Sequence, residues 1–177
     1  PDIARFGFGM SGLLVAQGTL AGSPKQLEAN LNGRAERLNI NKALQINHLT
    51  FNLQGSPDLN KPLHVQAEGR QIIIPGKEAP TRIDAVNLDI NGTGRRQSIR
   101  GNGNMAFDGK PYRFNLAADG GLNERNQWLG TVSALDVSGA FNLRLQNPLN
   151  LEAGAERVSL SAARWAAMGG SLNLERF

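Results

Sequence analysis

Side chains able to do acid–base or metal chemistry are few in this chain, and they stand far apart. His48 and His64 are the only histidines, and neither sits at ligand spacing from another histidine or a carboxylate pair. There is no cysteine, which excludes disulfides, thiolate ligands and a cysteine nucleophile. No serine lies in a Gly-x-Ser-x-Gly elbow. Asp84, Asp89, Asp119, Glu124 and Asp136 are scattered singly over polar positions. Gly7, Gly9 and Gly12 spell G-x-G-x-x-G, but strand-like LLVAQGTLAG follows where a pyrophosphate site needs a helix N-terminus. The expectation is a protein that is not an enzyme and takes no cofactor and no metal.

Binding chemistry is nearly as sparse. Nineteen Lys and Arg against 15 Asp and Glu leave a net charge of +4, enough for solubility or weak attraction to anionic surfaces. Arg34, Arg37, Lys42, Arg95, Arg96 and Arg100 could line an electropositive strip. No aromatic residues are interleaved to stack bases, so a solvated face is expected and no nucleic-acid partner. Trp128 and Trp165 read as packing or rim residues.

What the chain has in quantity is alternation. In Trp128 to Leu151, Leu135, Val137, Gly139, Phe141, Leu143 and Leu145 share one phase, while Asp136, Ser138, Asn142, Arg144 and Gln146 share the other. A period of two is the mark of a strand with one dry face and one wet face. The same pattern runs through Leu63–Gly69, Val86–Ile90, Ile99–Met105, Tyr112–Ala118 and Val158–Ala162. Residues 24–40 admit two readings: Leu27, Leu31 and Ala35 suit a short helix, whereas Asn30, Asn32 and Gly33 disfavour one, and strand is preferred.

Turns are expected at QGSPDLNKP, PGKEAP, Asn91-Gly92 and Asp108-Gly109, and RWAAMGG reads as a connection or a single helical turn. The phase slips by one at Asn47–His48 and again at Ser133–Ala134, so a bulge or corner is expected at each. Pieces such as FNLQG, VNLDING, FNLAADGG and FNLRLQNP form a degenerate repeat. Strands of this length with turns this frequent predict an all-β protein of roughly a dozen strands in one long, curved, mostly antiparallel sheet. Residues 1–177 are read as one unit, cut from a larger protein.

The dry phase is the candidate site: Leu53, Val65, Ile74, Leu88, Ile90, Phe114, Leu116, Val137, Phe141, Leu143, Leu145 and Leu160. Pattern alone leaves it open as the core of a sandwich, which it favours, or as the wall of an apolar groove.

The ordered series Phe114, Leu116, Gly120, Gly121, then Trp128, Gly130, Val132, Leu135, then Gly139, Phe141, Leu143, Pro148, Leu151, and last Val158, Leu160, Gly170, Leu172, Leu174 resembles the C-terminal domain of the TamB family, inner-membrane subunits of the translocation and assembly module. The resemblance implies a β-taco: a sheet folded into an open hydrophobic trough. It also implies a periplasmic part of an inner-membrane-anchored Gram-negative protein, with a TamA-like outer-membrane barrel of the assembly family as partner. Its cargo would be phospholipid acyl chains or apolar segments of outer-membrane proteins, and the dry phase listed above would be the groove wall.

Overall fold

The structure, a computed structural model, describes residues 10–23, 27–41, 43–76, 80–154, 158–167 and 169–175. Thirteen strands follow in order: β1 (Met10–Ala21), β2 (Glu28–Ile40), β3 (Leu44–Gly55), β4 (Pro62–Ile74), β5 (Thr81–Thr93), β6 (Gln97–Phe107), β7 (Lys110–Leu122), β8 (Trp128–Gly139), β9 (Leu143–Leu145), β10 (Leu149–Ala153), β11 (Val158–Leu160), β12 (Ala163–Ala167) and β13 (Gly170–Leu174). All belong to one antiparallel sheet in which β1 to β8 are neighbours in chain order. It is all-β as expected, and the sheet does not close into a barrel, since β1 and β13 stand at its two ends. Glu28–Ile40 is strand throughout, which settles the helix question for that part; residues 24–26 lie outside those described.

The wet and dry phases are kept in register by the turns. Asp108 and Gly109, both at positive φ (50° and 68°), make the tight turn between β6 and β7 that their types announce. Between β5 and β6 the turn is not at Asn91-Gly92. The strand runs on to Thr93, and Thr93 and Arg96 exchange backbone hydrogen bonds around Gly94 and Arg95. Beyond β8 the expected single strand is divided: the chain bends at 140–142 and returns as β9, with Val137 opposite Leu143. Arg164 to Ala167 of RWAAM, read as a connection, belong to β12, whose Trp165 stands opposite Leu145.

Two transverse lines of irregularity cross the sheet. Arg37, Asn47, Gln71 and Asp84, one on each of β2 to β5, drop out of the ladder at the same level. β1 has a single residue, Gly12, facing Arg37 and Leu38, and β6 has nothing facing Asp84, so the register steps by one at both borders. Each of the four strands therefore carries one extra residue, and its apolar phase slips there. Because all four slip together, their dry faces stay aligned, as the slip at Asn47–His48 requires. The backbone accommodates the insertions partly through positive φ at Arg37 (52°) and Gln71 (53°). Asn47 Nδ2 donates to Gln71 Oε1 at 3.4 Å. Ala35, Leu38, Ile46 and Ile72, from both sides of this line, form one of the two cores.

The second line crosses the other end. Ser133 is the extra residue of β8 against β7, which places the expected bulge. There the next strand parts into β9 and β10, pairing with opposite halves of β8. Side chains make good the interrupted ladder: Asn147 Oδ1 accepts from Arg164 N at 3.0 Å, and Ser161 Oγ accepts from Asn150 N at 2.8 Å. Ala118, Val132, Leu145, Leu149, Ala163 and Trp165 build the second core beneath this fork.

Candidate functional site: an uncovered apolar wall

Cross-strand pairing turns the alternation into transverse apolar rows. One runs Leu31, Leu53, Val65, Ile90, Ile99, Ala118, Val132 and Leu149 across eight strands without a polar interruption. At about 4.8 Å between strands it spans roughly 34 Å. The next runs Phe51, Ala67, Leu88, Gly101, Leu116 and Leu135, and a third runs Leu49, Gly69, Val86, Gly103, Phe114, Val137 and Leu143.

Among the described residues no second layer lies over these rows, apart from the end of the first, where Ala118, Val132 and Leu149 are buried in the core beneath the fork. Among the described residues, the strand pairs in substantial contact are all hydrogen-bonded neighbours of the one sheet. Leu53, Val65, Leu88, Ile90, Phe114, Leu116 and Val137 are accordingly half-buried, and no large side chain is fully buried. A sandwich core would have sealed them. Sandwich packing is thus replaced by an open apolar wall.

The candidate residues do not all share one situation. Leu53, Val65 and Ile90 stand in the first row, Leu88 and Leu116 in the second, and Phe114, Val137 and Leu143 in the third. Leu145 is 8% exposed against Trp165, inside the core beneath the fork, and Leu160 packs against the same core opposite Leu151. Phe141 lies in the bend after β8, its ring 4.9 Å from that of Tyr112. Ile74 ends β4 and is exposed. Leu31, Phe51, Ala67 and Ile99 also belong to the wall; their alternation carried the signal.

The opposite face is a lattice of amides. Asn87, Asn102 and Asn115 are aligned on three adjacent strands, with Asn87 Nδ2 donating to Asn102 Oδ1 at 3.1 Å. Here the degenerate repeat has a physical meaning: each Asn between two apolar residues places an amide on the wet face. A shallow depression of about 490 Å³, bordered by Asn32, Asn52, Gln66, Asp89, Arg100 and Asn102, lies on this face. His64 Nδ1 meets Asn91 Oδ1, and Asn91 Nδ2 meets Asp89 Oδ1. His48 stands apart from this chain, opposite Arg70. No group of three metal-ligating side chains occurs among the described residues.

The basic residues do not gather into a strip. Arg34 is mid-strand on the wet face and Arg37 is in the first line of insertions. Arg95 and Arg96 occupy the turn after β5, and Arg100 pairs with Asp119 at 3.7 Å. Lys42, Gly7 and Gly9 lie outside the described residues, and Gly12 is in a strand. Trp128 covers Gly120 and Gly130, while Trp165 is buried beneath the fork.

No curated protein and no solved structure matches the chain. The family model described as TamB, N-terminal domain, matches residues 1–176, the N-terminal rather than the C-terminal domain suggested by the ordered motifs. With nearly every residue matched, and an open antiparallel sheet beneath the match, the chain belongs to the TamB family, non-enzymatic envelope proteins that act with an outer-membrane partner in the translocation and assembly module.

Proposed function

We propose that residues 1–177 form one wall unit of a longer hydrophobic conduit through the Gram-negative periplasm, in a protein anchored in the inner membrane and working beside a TamA-like barrel. Its cargo is the acyl chains of phospholipid passing between the membranes, the apolar strands of nascent outer-membrane proteins, or both. The observation that carries this reading is the uncovered wall, with three aligned apolar rows and no charge among them. Each methylene transferred from water to such a wall contributes about 0.8 kcal/mol, so a 16-carbon chain gains roughly 12 kcal/mol before ordering costs. Nothing in the wall fixes a headgroup, which suits passage better than storage.

A carboxylate in the wall would be stripped of water whenever cargo covered it, with no partner to compensate. Leu88→Glu and Leu143→Glu are therefore expected to abolish co-purification of lipid or detergent in native mass spectrometry, with the far-ultraviolet circular dichroism unchanged. Lipid retained by both folded variants would sink the conduit. A second reading, a module that docks a partner by strand addition, is favoured by β1, a 12-residue strand without Asp, Glu, Lys, Arg or Pro.

A further inference from the structure

We propose that an acyl chain crosses the wall on a diagonal, over the first row on β3 to β5 and over the third row on β7 and β8, changing rows at the glycines of β6. This rests on the lipid side of the conduit reading and gives that cargo its path. No single row is open from one side of the sheet to the other. The first ends at Ala118, Val132 and Leu149, which are 3%, 6% and 4% exposed in the core beneath the fork. The third begins at Ala35, opposite Leu49 and 2% exposed in the core on the line of insertions. The second runs into the fork core at Leu116 and Leu135, which pack against it.

The two cores close opposite corners. One gathers the ends of β2 to β5 that lie beside the connections after β2 and β4. The other gathers the opposite ends of β6 to β8, together with β9 to β12. The twist of a sheet lifts two diagonally opposite corners toward the same face, where their apolar side chains meet. Between the corners remains a band from Leu53, Val65, Leu88 and Ile90 to Phe114 and Val137, none of which belongs to either core.

The halves of the band join on β6. Gly101 stands there between Leu88 and Leu116, and Gly103 lies under the ring of Phe114, so no side chain of β6 projects where the rows change. Five strand spacings and two rows separate Leu53 from Val137. At about 4.8 Å per strand and about 3.3 Å per residue the diagonal is roughly 27 Å. An acyl chain spans about half of a bilayer core about 30 Å thick, so the band holds one chain with room to advance.

The occupant follows from the backbone. Each of β2 to β8 is paired on both sides, and the floor of the band offers no free N–H or C=O. A polypeptide laid on it would press its own peptide groups against apolar side chains without partners. A hydrocarbon chain has none to satisfy and gains by the area it covers.

The test incubates the full 177-residue chain with vesicles of phosphatidylethanolamine and phosphatidylglycerol in which one phosphatidylethanolamine acyl chain carries a diazirine. After re-isolation and irradiation, adducts are placed by tandem mass spectrometry. They should fall on Leu53, Leu88, Phe114 and Val137 and be missing from Ile72, Val132 and Leu149. Gly101→Leu sets a side chain at the crossing and should lose the adducts on Leu88 and Phe114, whereas Gly101→Ala should keep them, with far-ultraviolet circular dichroism checking both folds. Labelling of Val132 and Leu149 as strong as that of Ile90 would overturn the diagonal in favour of a straight path and leave the conduit standing. So would wild-type labelling of Leu88 and Phe114 in a folded Gly101→Leu variant. Labelling of the band that an excess of alternating Val and Thr peptide abolishes would assign it to polypeptide and overturn the lipid path. A chain that retains no lipid overturns both the path and the conduit.

Discussion

The ring of Phe114 on β7 covers Gly103 on β6: a Cβ built on that glycine would stand 2.7 Å from both Cε1 and Cζ, and would also collide with the Ala85 carbonyl oxygen. Phe51 covers Gly33 in the same way. The wall thus takes aromatic area without projecting it, because the ring occupies the space a neighbouring side chain gave up. Gly103→Ala should lower stability by about 1–3 kcal/mol, the usual cost of overpacking where backbone must give. Gly101, two residues away in the same strand, has nothing closer than 3.6 Å to its built Cβ. Gly101→Ala should be neutral, or stabilising by up to about 1 kcal/mol through the unfolded chain. Urea unfolding of the two variants measures the contrast, and equal losses would contradict the covering role of Phe114.

The insertions at Arg37, Asn47, Gln71 and Asp84 work only as a set. Deleting Asn47 alone would remove the slip from β3 while β2 and β4 kept theirs, turning one half of the strand over relative to its neighbours. Either Leu44 and Ile46 or Leu49, Phe51 and Leu53 would then face water. Loss of folding is expected, read as loss of cooperative urea unfolding. Gln71→Gly, which keeps the residue count and relieves a positive φ, should be tolerated or mildly stabilising. A stable, cooperative deletion variant would contradict the account of the line as a shared insertion.

Strand character and the dry phase were legible because alternation reports which side of a pleat a residue takes. Alternation does not report where the chain turns when a turn preserves parity. Val137 pairs with Leu143, both odd-numbered, so five intervening residues leave the pattern of Trp128–Leu151 unbroken although the chain has reversed. Asn91-Gly92 carried a turn signal, but pairing with Gln97 and Ser98 holds both residues in strand. Ala163–Ala167 lacks a strong pattern of its own and becomes strand because Trp165 fills the core beneath the fork. The slip at Asn47 was visible in one strand; that β2, β4 and β5 slip at the same level depends on register, which no single segment encodes. Likewise the openness of the wall depends on what is absent above it, and the dry phase of a sandwich has the same sequence pattern.

One ion pair on the rim beside the wall gives stability a small dependence on pH. Lys61 Nζ lies 2.7 Å from Glu28 Oε1. Its hydrogen bond, and then its charge, hold the Glu28 carboxyl below the ordinary carboxylate value and raise Lys61 above the ordinary lysine value. Asp58 is lowered too, by the Asn60 backbone N–H first and the Asn60 side chain second. Since the folded carboxyls titrate lower than the unfolded ones, their contribution is present above the unfolded values near 4 and lost as pH falls through the depressed ones. The contribution from Lys61 is present below its unfolded value and lost as pH rises through its raised one. Glu28 is exposed and Lys61 and Asp58 are partly exposed, so the effect is modest and weakened by salt. Glu28→Gln should therefore lower the urea midpoint slightly at neutral pH in low salt. It should converge with wild type in acid, once pH has fallen through the depressed Glu28 value and that carboxyl is protonated in either state. It should also flatten the alkaline limb, since Lys61 has lost its partner. A gap between variant and wild type that persists unchanged into strong acid would show that Glu28 acts through packing and not through its charge.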